Sequence, residues 1–179
     1  MDYDVIVIGG GHAGIEASLA SARLGASTLL ITQNPDTIGK LSCNPSIGGL
    51  SKANLAREID ALGGEMALIT DQTSIQYRLL NRSRGPAVQA ARVQSDKSAY
   101  SILARKALEA QPGLHIFMDT VDGLLCSQTV PPRVLGVSTV RGNKISAKKV
   151  IIASGTFMDG RIFIGEYHAW EGRLGEPTA

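Results

Sequence analysis

The 179-residue chain of 18.9 kDa is 44% hydrophobic and 19% charged, with a net charge of only +2. That balance suits one globular α/β domain able to bury roughly 70% of its unfolded surface, and it excludes any argument from bulk charge to nucleic acid or membrane. No apolar run approaches the ~20 residues of a membrane span, and Cys43 and Cys126 are too far apart for a metal-spacing pair.

Asp4-Val5-Ile6-Val7-Ile8 is a β-branched apolar run ending at glycine, the pattern of a strand buried on both faces of a parallel sheet. The stretch Val5 to Ile8 is too short for a signal-peptide core and has no basic segment before it, so reduced thiols and a cytoplasmic location are expected. From His12 to Leu24, Ala13, Ala17, Ala20 and Ala22 favour helix, and Gly25 supplies a stop. Thr28 to Thr32 is a second buried strand, completing one βαβ unit.

Residues 33–50 hold Asn34-Pro35, Gly39, Asn44-Pro45 and Gly48-Gly49, which predicts a turn-rich loop long enough to carry function. Ser51 is a candidate cap for a helix through Leu62, with Leu55, Ile59 and Leu62 on one stripe and Gly63-Gly64 as its end. Residues 72–95 contain Arg78, Arg82, Arg84 and Arg92 with no acid between Asp71 and Asp96. Asp96 to Ala110 predicts a helix with Ala99, Ile102, Leu103 and Ala107 on one face. Strands are expected at Leu114–Met118, Val121–Ser127, Val134–Arg141 and Lys144–Ala147, with turns at Pro131-Pro132 and Gly142-Asn143, giving an antiparallel β-meander over about 120–148. A last apolar run, Lys149 to Ala153, ends in Ser154-Gly155-Thr156.

Gly9, Gly11 and Gly14 satisfy G-x-G-x-x-G after a strand and at the mouth of a helix. The first glycine allows a tight turn, the second lets backbone approach a pyrophosphate, and the third lets helix and strand pack closely. The helix N-terminus then offers unpaired N–H groups and a partial positive charge. Gly9, Gly10, Gly11, His12, Ala13 and Gly14 are therefore candidate cofactor-binding residues, against the plainer reading of a structural strand-to-helix turn. The acid that usually ends the second strand to bind a ribose is replaced by Thr32, followed by Gln33 and Asn34. An uncharged partner weakens a simple NAD reading more than an FAD reading. The later strand ending in Ala153-Ser154-Gly155 has the Ala-x-Gly closure of two-dinucleotide flavoproteins and adds Gly155 to the candidate set. The expected fold is a Rossmann-like FAD-binding α/β domain of that type, with the small β-meander, over 1–179.

The loop Ser42-Cys43-Asn44-Pro45-Ser46-Ile47-Gly48-Gly49 narrows the family. With Gly9-Gly10-Gly11-His12-Ala13-Gly14, Glu58 to Gly64, Arg84-Gly85-Pro86-Ala87-Val88, Arg92 to Asp96, Gly155 to Gly160 and Gly172 to Pro177, it closely resembles the MnmG (GidA) family of tRNA-modifying flavoenzymes. The resemblance implies a full-length protein roughly three times as long, so the chain is expected to be an N-terminal part. The resemblance implies addition of a carboxymethylaminomethyl-type group to C5 of a tRNA wobble uridine. It also implies FAD, NADH as reductant, methylene-tetrahydrofolate as carbon source, an MnmE-type GTPase partner and a homodimer in the full-length form. A folate- and FAD-dependent tRNA uridine methyltransferase (TrmFO) is the near alternative, and a truncated, non-catalytic nucleotide-binding remnant is the alternative of a different class.

Cys43 occupies the position of the family's catalytic cysteine, and its thiolate has the chemistry to add to C6 of uridine and activate C5. The bland reading is an inert packed cysteine. Cys126 is expected to be buried in the meander and is given no role. The resemblance places Val121 at a backbone contact to FAD. Arg78, Arg82, Arg84 and Arg92 are candidates for tRNA phosphates, or a solvated face, with Arg92 alternatively on FAD phosphates. His12 is expected to serve local hydrogen bonding.

Overall fold

The structure, a computed structural model, describes residues 2–179. Strand β1 (Asp2–Ile8) runs into helix α1 (His12–Arg23), and β2 (Thr28–Thr32) follows with the bounds its sequence predicts. The helix stops where expected: the Leu24 N–H bonds the Ala20 carbonyl, and Gly25 takes φ +88°, a conformation glycine reaches without penalty.

Four strands form the parallel part of the main sheet. β2 lies between β1 and β6 (Leu114–Met118), and β9 (Lys144–Ile152) lies on the far side of β1. The full order is β6-β2-β1-β9-β8-β7, with β7 (Val121–Cys126) and β8 (Val134–Thr139) antiparallel. The two runs expected at Lys144–Ala147 and Lys149–Ala153 are thus one strand. Its first residues pair antiparallel with β8 and its length from Ser146 on pairs parallel with β1, so the meander continues the main sheet. From β1 the chain moves outward to β2 and β6, then returns to β9 on the opposite side. The order reverses between β1 and β9, and ligands of open α/β sheets bind outside the strand ends at such a reversal.

Residues alternate between two cores, as a sheet buried on both faces requires. Val7 and Leu30 pack with Ile15 and Leu19 of α1 and with Tyr100, Ala104 and Leu108 of α4 (Lys97–Ala110). Ile6, Leu29 and Ile31 pack on the other side with Val137 and Ala147, a core made of strand residues alone. Asp96 caps α4 through its Oδ1, which accepts from the Ala99 N–H at 2.8 Å. The buried stripe of α4 is Tyr100, Ala104 and Leu108. Leu103 and Ala107 flank it, but Ile102 is 55% exposed, so the predicted face is rotated by part of a turn. A buried tyrosine hidden in a polar-looking stretch moved the centre of that stripe.

The crossover from β2 to β6 carries a second layer, of which the sequence predicts only the first helix. Strand β3 (Ser46–Gly48) lies within the expected loop 33–50, and α2 (Lys52–Ala61), α3 (Met66–Thr73), β4 (Ser74–Leu80) and β5 (Ala90–Ser95) follow. The three strands form a separate antiparallel sheet, β3-β5-β4. In α2 the expected apolar stripe is not buried: Leu55 and Leu62 are exposed, Ala53 is the buried residue, and Ser51 makes no capping hydrogen bond. Cys126 is likewise exposed on β7. The C-terminal stretch folds into two small hairpins, β10 (Ile162–Ile164) with β11 (Tyr167–Ala169) and β12 (Glu171–Arg173) with β13 (Glu176–Pro177). No helix among the described residues is long and apolar enough to cross a membrane.

Helix α1 is tied to this second layer by one carboxylate. Glu16 Oε1 accepts from the backbone N–H groups of Glu65 (3.0 Å) and Met66 (2.7 Å), satisfying the start of α3 from a helix fifty residues earlier. Replacing Glu16 with Ala leaves two donors without a partner and is expected to lower unfolding free energy by about 1–3 kcal/mol. Urea denaturation measures this, and an unchanged midpoint would show that water replaces the carboxylate at no loss.

Candidate functional site

The turn from β1 into α1 is shaped by its glycines, each for a different reason. Gly9 has φ +107°, and a Cβ there would sit 2.5 Å from the Ala153 carbonyl oxygen, at the end of β9. A Cβ on Gly14 would overlap the Gly9 carbonyl oxygen. Gly10 is enclosed by the Ile38 side chain and the Thr32 hydroxyl. Gly11 differs from these: a Cβ there would meet no atom within 4 Å. It stands at the N-cap of α1 with no side-chain cap, and no acid occupies the first turn. The N–H groups of Gly11, His12 and Ala13 have no partner among the described residues. Open space beside unpaired donors at a helix N-terminus is the shape and polarity a pyrophosphate needs, so the residues present fit the phosphates of a dinucleotide.

The rim is built from the other strand ends. Ala153 N–H bonds the Ile8 carbonyl at 2.8 Å, and Gly155 follows at φ +60° with open space around it. Thr32 is buried, its side chain beneath Gly10 and its carbonyl accepting from the Asp119 N–H at 3.1 Å. Asp119 is held by Asn143 Nδ2 at 3.0 Å, which fixes the path into β7, where Val121 packs half-buried against the strand core. Gln33 Nε2 donates to the Thr178 carbonyl.

A strap over the loop comes from residues 35–39. Gly39 N–H bonds the Gly10 carbonyl at 3.0 Å, Ser101 Oγ of α4 donates to the Ile38 carbonyl, and Arg105 of α4 pairs with Asp36 at 2.6 Å. The latter pair is exposed and adds little energy, so the buried Ile38 does most of the anchoring. His12 points its ring toward Tyr100 (centroids 5.6 Å apart), and its Nε2 is buried without a hydrogen-bond partner among the described residues. Burial, with the nearby Lys52 charge, lowers its pKa from 6.5 to about 4. The imidazole is therefore neutral at pH 7 and offers no charge to an anion.

Cys43 is exposed at the tip of a loop between two buried anchors, Leu41 and Ile47. It lies four residues beyond Gly39, which touches the phosphate loop. Its neighbour Ser42 accepts at Oγ from Arg173 Nη1 at 2.6 Å, and Arg173 is paired with Glu176, which also binds Lys40 at 2.7 Å. Burial would raise the Glu176 carboxyl, but hydrogen bonds from Arg173 and Lys40 outweigh it and hold its pKa below the ordinary value. The C-terminal hairpin thus grips the Cys43 loop. That grip joins residues more than 130 positions apart, and local pattern carried no sign of it.

The structure does not gather all the candidate arginines. Arg78 and Arg92 face each other across β4 and β5, while Arg82 and Arg84 lie in the turn between those strands. None of the four is in an ion pair among the described residues.

The parallel sheet, its reversal point and the glycine turn define a Rossmann-like dinucleotide-binding α/β domain. A family model for glucose inhibited division protein A matches residues 4–179. A protein of Treponema denticola named tRNA uridine 5-carboxymethylaminomethyl modification enzyme MnmG is 60% identical over 184 aligned residues, covering 99% of this chain and 29% of its own length. The protein of the same name from Borreliella burgdorferi is 59% identical over 179 residues, covering 100% of this chain and 29% of its own. The crystal structure of Aquifex aeolicus GidA (form I) superposes with a TM-score of 0.94 at 47% identity, over 100% of this chain and 29% of that one. The chain belongs to the glucose inhibited division protein A (GidA) family, and it spans about 29% of the length of these relatives.

Two outcomes test the site's construction. Gly14→Ala places a methyl group into the Gly9 backbone and is expected to destabilise the fold by about 3 kcal/mol, whereas Gly11→Ala enters open space and should change stability by less than about 1 kcal/mol; equal losses in thermal unfolding would contradict the geometry. Because folding lowers the His12 pKa, the unfolded chain takes up the proton first. Its contribution to stability is intact above pH 6.5 and is lost progressively as pH falls toward about 4, a fall of up to about 3 kcal/mol. A His12→Gln variant should lack that portion of the pH dependence in denaturation midpoints.

Proposed function

We propose that this chain is the N-terminal, FAD-binding part of a cytoplasmic flavoenzyme that modifies C5 of the tRNA wobble uridine with a carboxymethylaminomethyl-type group. The observation that carries the cofactor reading is the room a Cβ would have at Gly11 beside three unpaired N–H groups, in a chain of the GidA family. The substrate reading is supported by relatives 58–60% identical that are named as tRNA uridine-modifying enzymes.

In this reading Gly11, His12 and Ala13 donate backbone N–H bonds to the pyrophosphate, with Gly9, Gly10 and Gly14 holding the turn. Thr32 borders the ribose side, and Val121 and Gly155 complete the rim. Bound FAD supplies two-electron redox chemistry. Cys43 acts as the nucleophile: its thiolate bonds to C6 of uridine, moving the electron pair toward C5 and O4. C5 then bonds the one-carbon unit as that carbon's bond to its carrier nitrogen breaks and the electron pair goes to the nitrogen. C5 next gives up its proton to a base, and the returning electron pair expels the thiolate. The Arg173 and Glu176 grip on the loop sets where Cys43 stands. Methylene-tetrahydrofolate as carbon donor, NADH as reductant, an MnmE-type GTPase partner and a homodimer of the longer protein belong to the same proposal, as do tRNA contacts from Arg78, Arg82, Arg84 and Arg92.

Cells carrying Cys43→Ser in the gene should show at least a hundredfold loss of the modified wobble nucleoside by mass spectrometry of digested tRNA, while the purified variant keeps its flavin absorbance. Undiminished modification would remove Cys43 from the chemistry. Gly11→Ala should weaken FAD at least tenfold in a fluorescence titration, about 1.4 kcal/mol, with little change in folding.

A further inference from the structure

On one face of the three-stranded sheet stands a charge arrangement the fold does not explain by itself. Arg78 on β4 and Arg92 on β5 are direct cross-strand partners, so their side chains leave the sheet on the same face. Like charges in that position are destabilising. The same chain pairs Arg23 with Glu65, Arg105 with Asp36 and Glu109, and Arg173 with Glu176. Here no acid occurs from residue 72 to 95, and neither guanidinium has an anionic partner among the described residues.

The neighbours on that face are built for an anion. Gln76 and Gln94, also cross-strand partners, join Arg78, Arg92 and Leu80 around a cavity of about 140 Å³. Arg92 is fixed in advance: its Nε and Nη2 donate to Ser46 Oγ at 3.2 and 2.9 Å, and that hydroxyl donates to Gln94 Oε1 at 2.9 Å. Ser46 is neutral, so it orients the fork without cancelling its charge, and a guanidinium already oriented loses less freedom when it binds a phosphate in two-point fashion. Ser46 is also three residues from Cys43, a chain length that spans at most about 10 Å.

We propose that Arg78 and Arg92, with Gln76 and Gln94, form a phosphodiester subsite that holds the RNA backbone beside the nucleotide presented to Cys43. This rests on the tRNA reading above and sharpens it. The subsite separates the strand arginines, which fix the register of the backbone, from Arg82 and Arg84 in the turn, which add only general attraction.

The test is a binding cycle on the chain with a labelled anticodon stem-loop RNA, unmodified or with neutral methylphosphonates at the linkages flanking the wobble uridine. One flanking methylphosphonate should weaken binding to the unaltered chain and to R82Q/R84Q about tenfold. It should leave the already weaker binding of R78Q/R92Q unchanged, and R92K, which keeps the charge without the fork, should resemble R78Q/R92Q. Titration with FAD should give the same affinity for R78Q/R92Q as for the unaltered chain. If every methylphosphonate weakens R78Q/R92Q as much as the unaltered chain, the subsite is overturned while the tRNA reading stands. Loss of FAD affinity in R78Q/R92Q with RNA binding intact assigns the pair to the cofactor and overturns it too. No binding of the stem-loop by the unaltered chain overturns both.

Discussion

The structure depends on one close approach, where the turn after β1 passes under the end of β9. The Gly9 position has no room for a side chain because the Ala153 carbonyl lies 2.5 Å from where a Cβ would be, and Gly14 has none because of the Gly9 carbonyl itself. That contact packs the start of α1 closely against the turn that leaves β1 and sets the direction of its N-terminus. It also leaves Gly11 facing open space. The glycines that are crowded build the turn, and the one that is not leaves a place for a ligand.

Around this turn, elements distant in sequence converge. Helix α4 fixes the strap 35–39 through Ser101 and the buried Ile38, and the strap closes on Gly10. Four residues further on, the same segment reaches Cys43, and the C-terminal hairpin holds that loop through Arg173. The glycine turn and Cys43 are thus placed by one continuous stretch of chain. The Cys43 thiol is both exposed and positioned: it stands in solvent between the buried Leu41 and Ile47.

The first βαβ unit was legible because its signals are local: a β-branched run, an alanine-rich helix, a glycine stop and the glycine fingerprint all lie within about thirty residues. The helix from Asp96 to Ala110 was legible for the same reason, although the capping role of Asp96 was not. What failed was what depends on partners far away. Strand β3 is three residues long, and it exists because β5 offers it a register from Gln94 to Arg92. Ile102 was expected inside and is outside, because Tyr100 takes the buried position. Cys126 was expected to be buried, but β7 is the last strand of its sheet and its outer residues face solvent. In the site, the sequence pattern treats the glycines as one set, and the path of the backbone divides them into crowded and open positions. The arginines were read as one group, and the register of β4 on β5 divides them.

The most direct measurement is the amide ¹H–¹⁵N correlation spectrum of the chain during titration with FAD. The largest shifts are expected on Gly11, His12 and Ala13, with further shifts at Gly155 and Val121. Amides of β4 and β5 should stay in place. Saturation by FAD with the amides of residues 11–13 unmoved would be the contrary result, because the uncapped N-terminus of α1 would then not be where the phosphates bind.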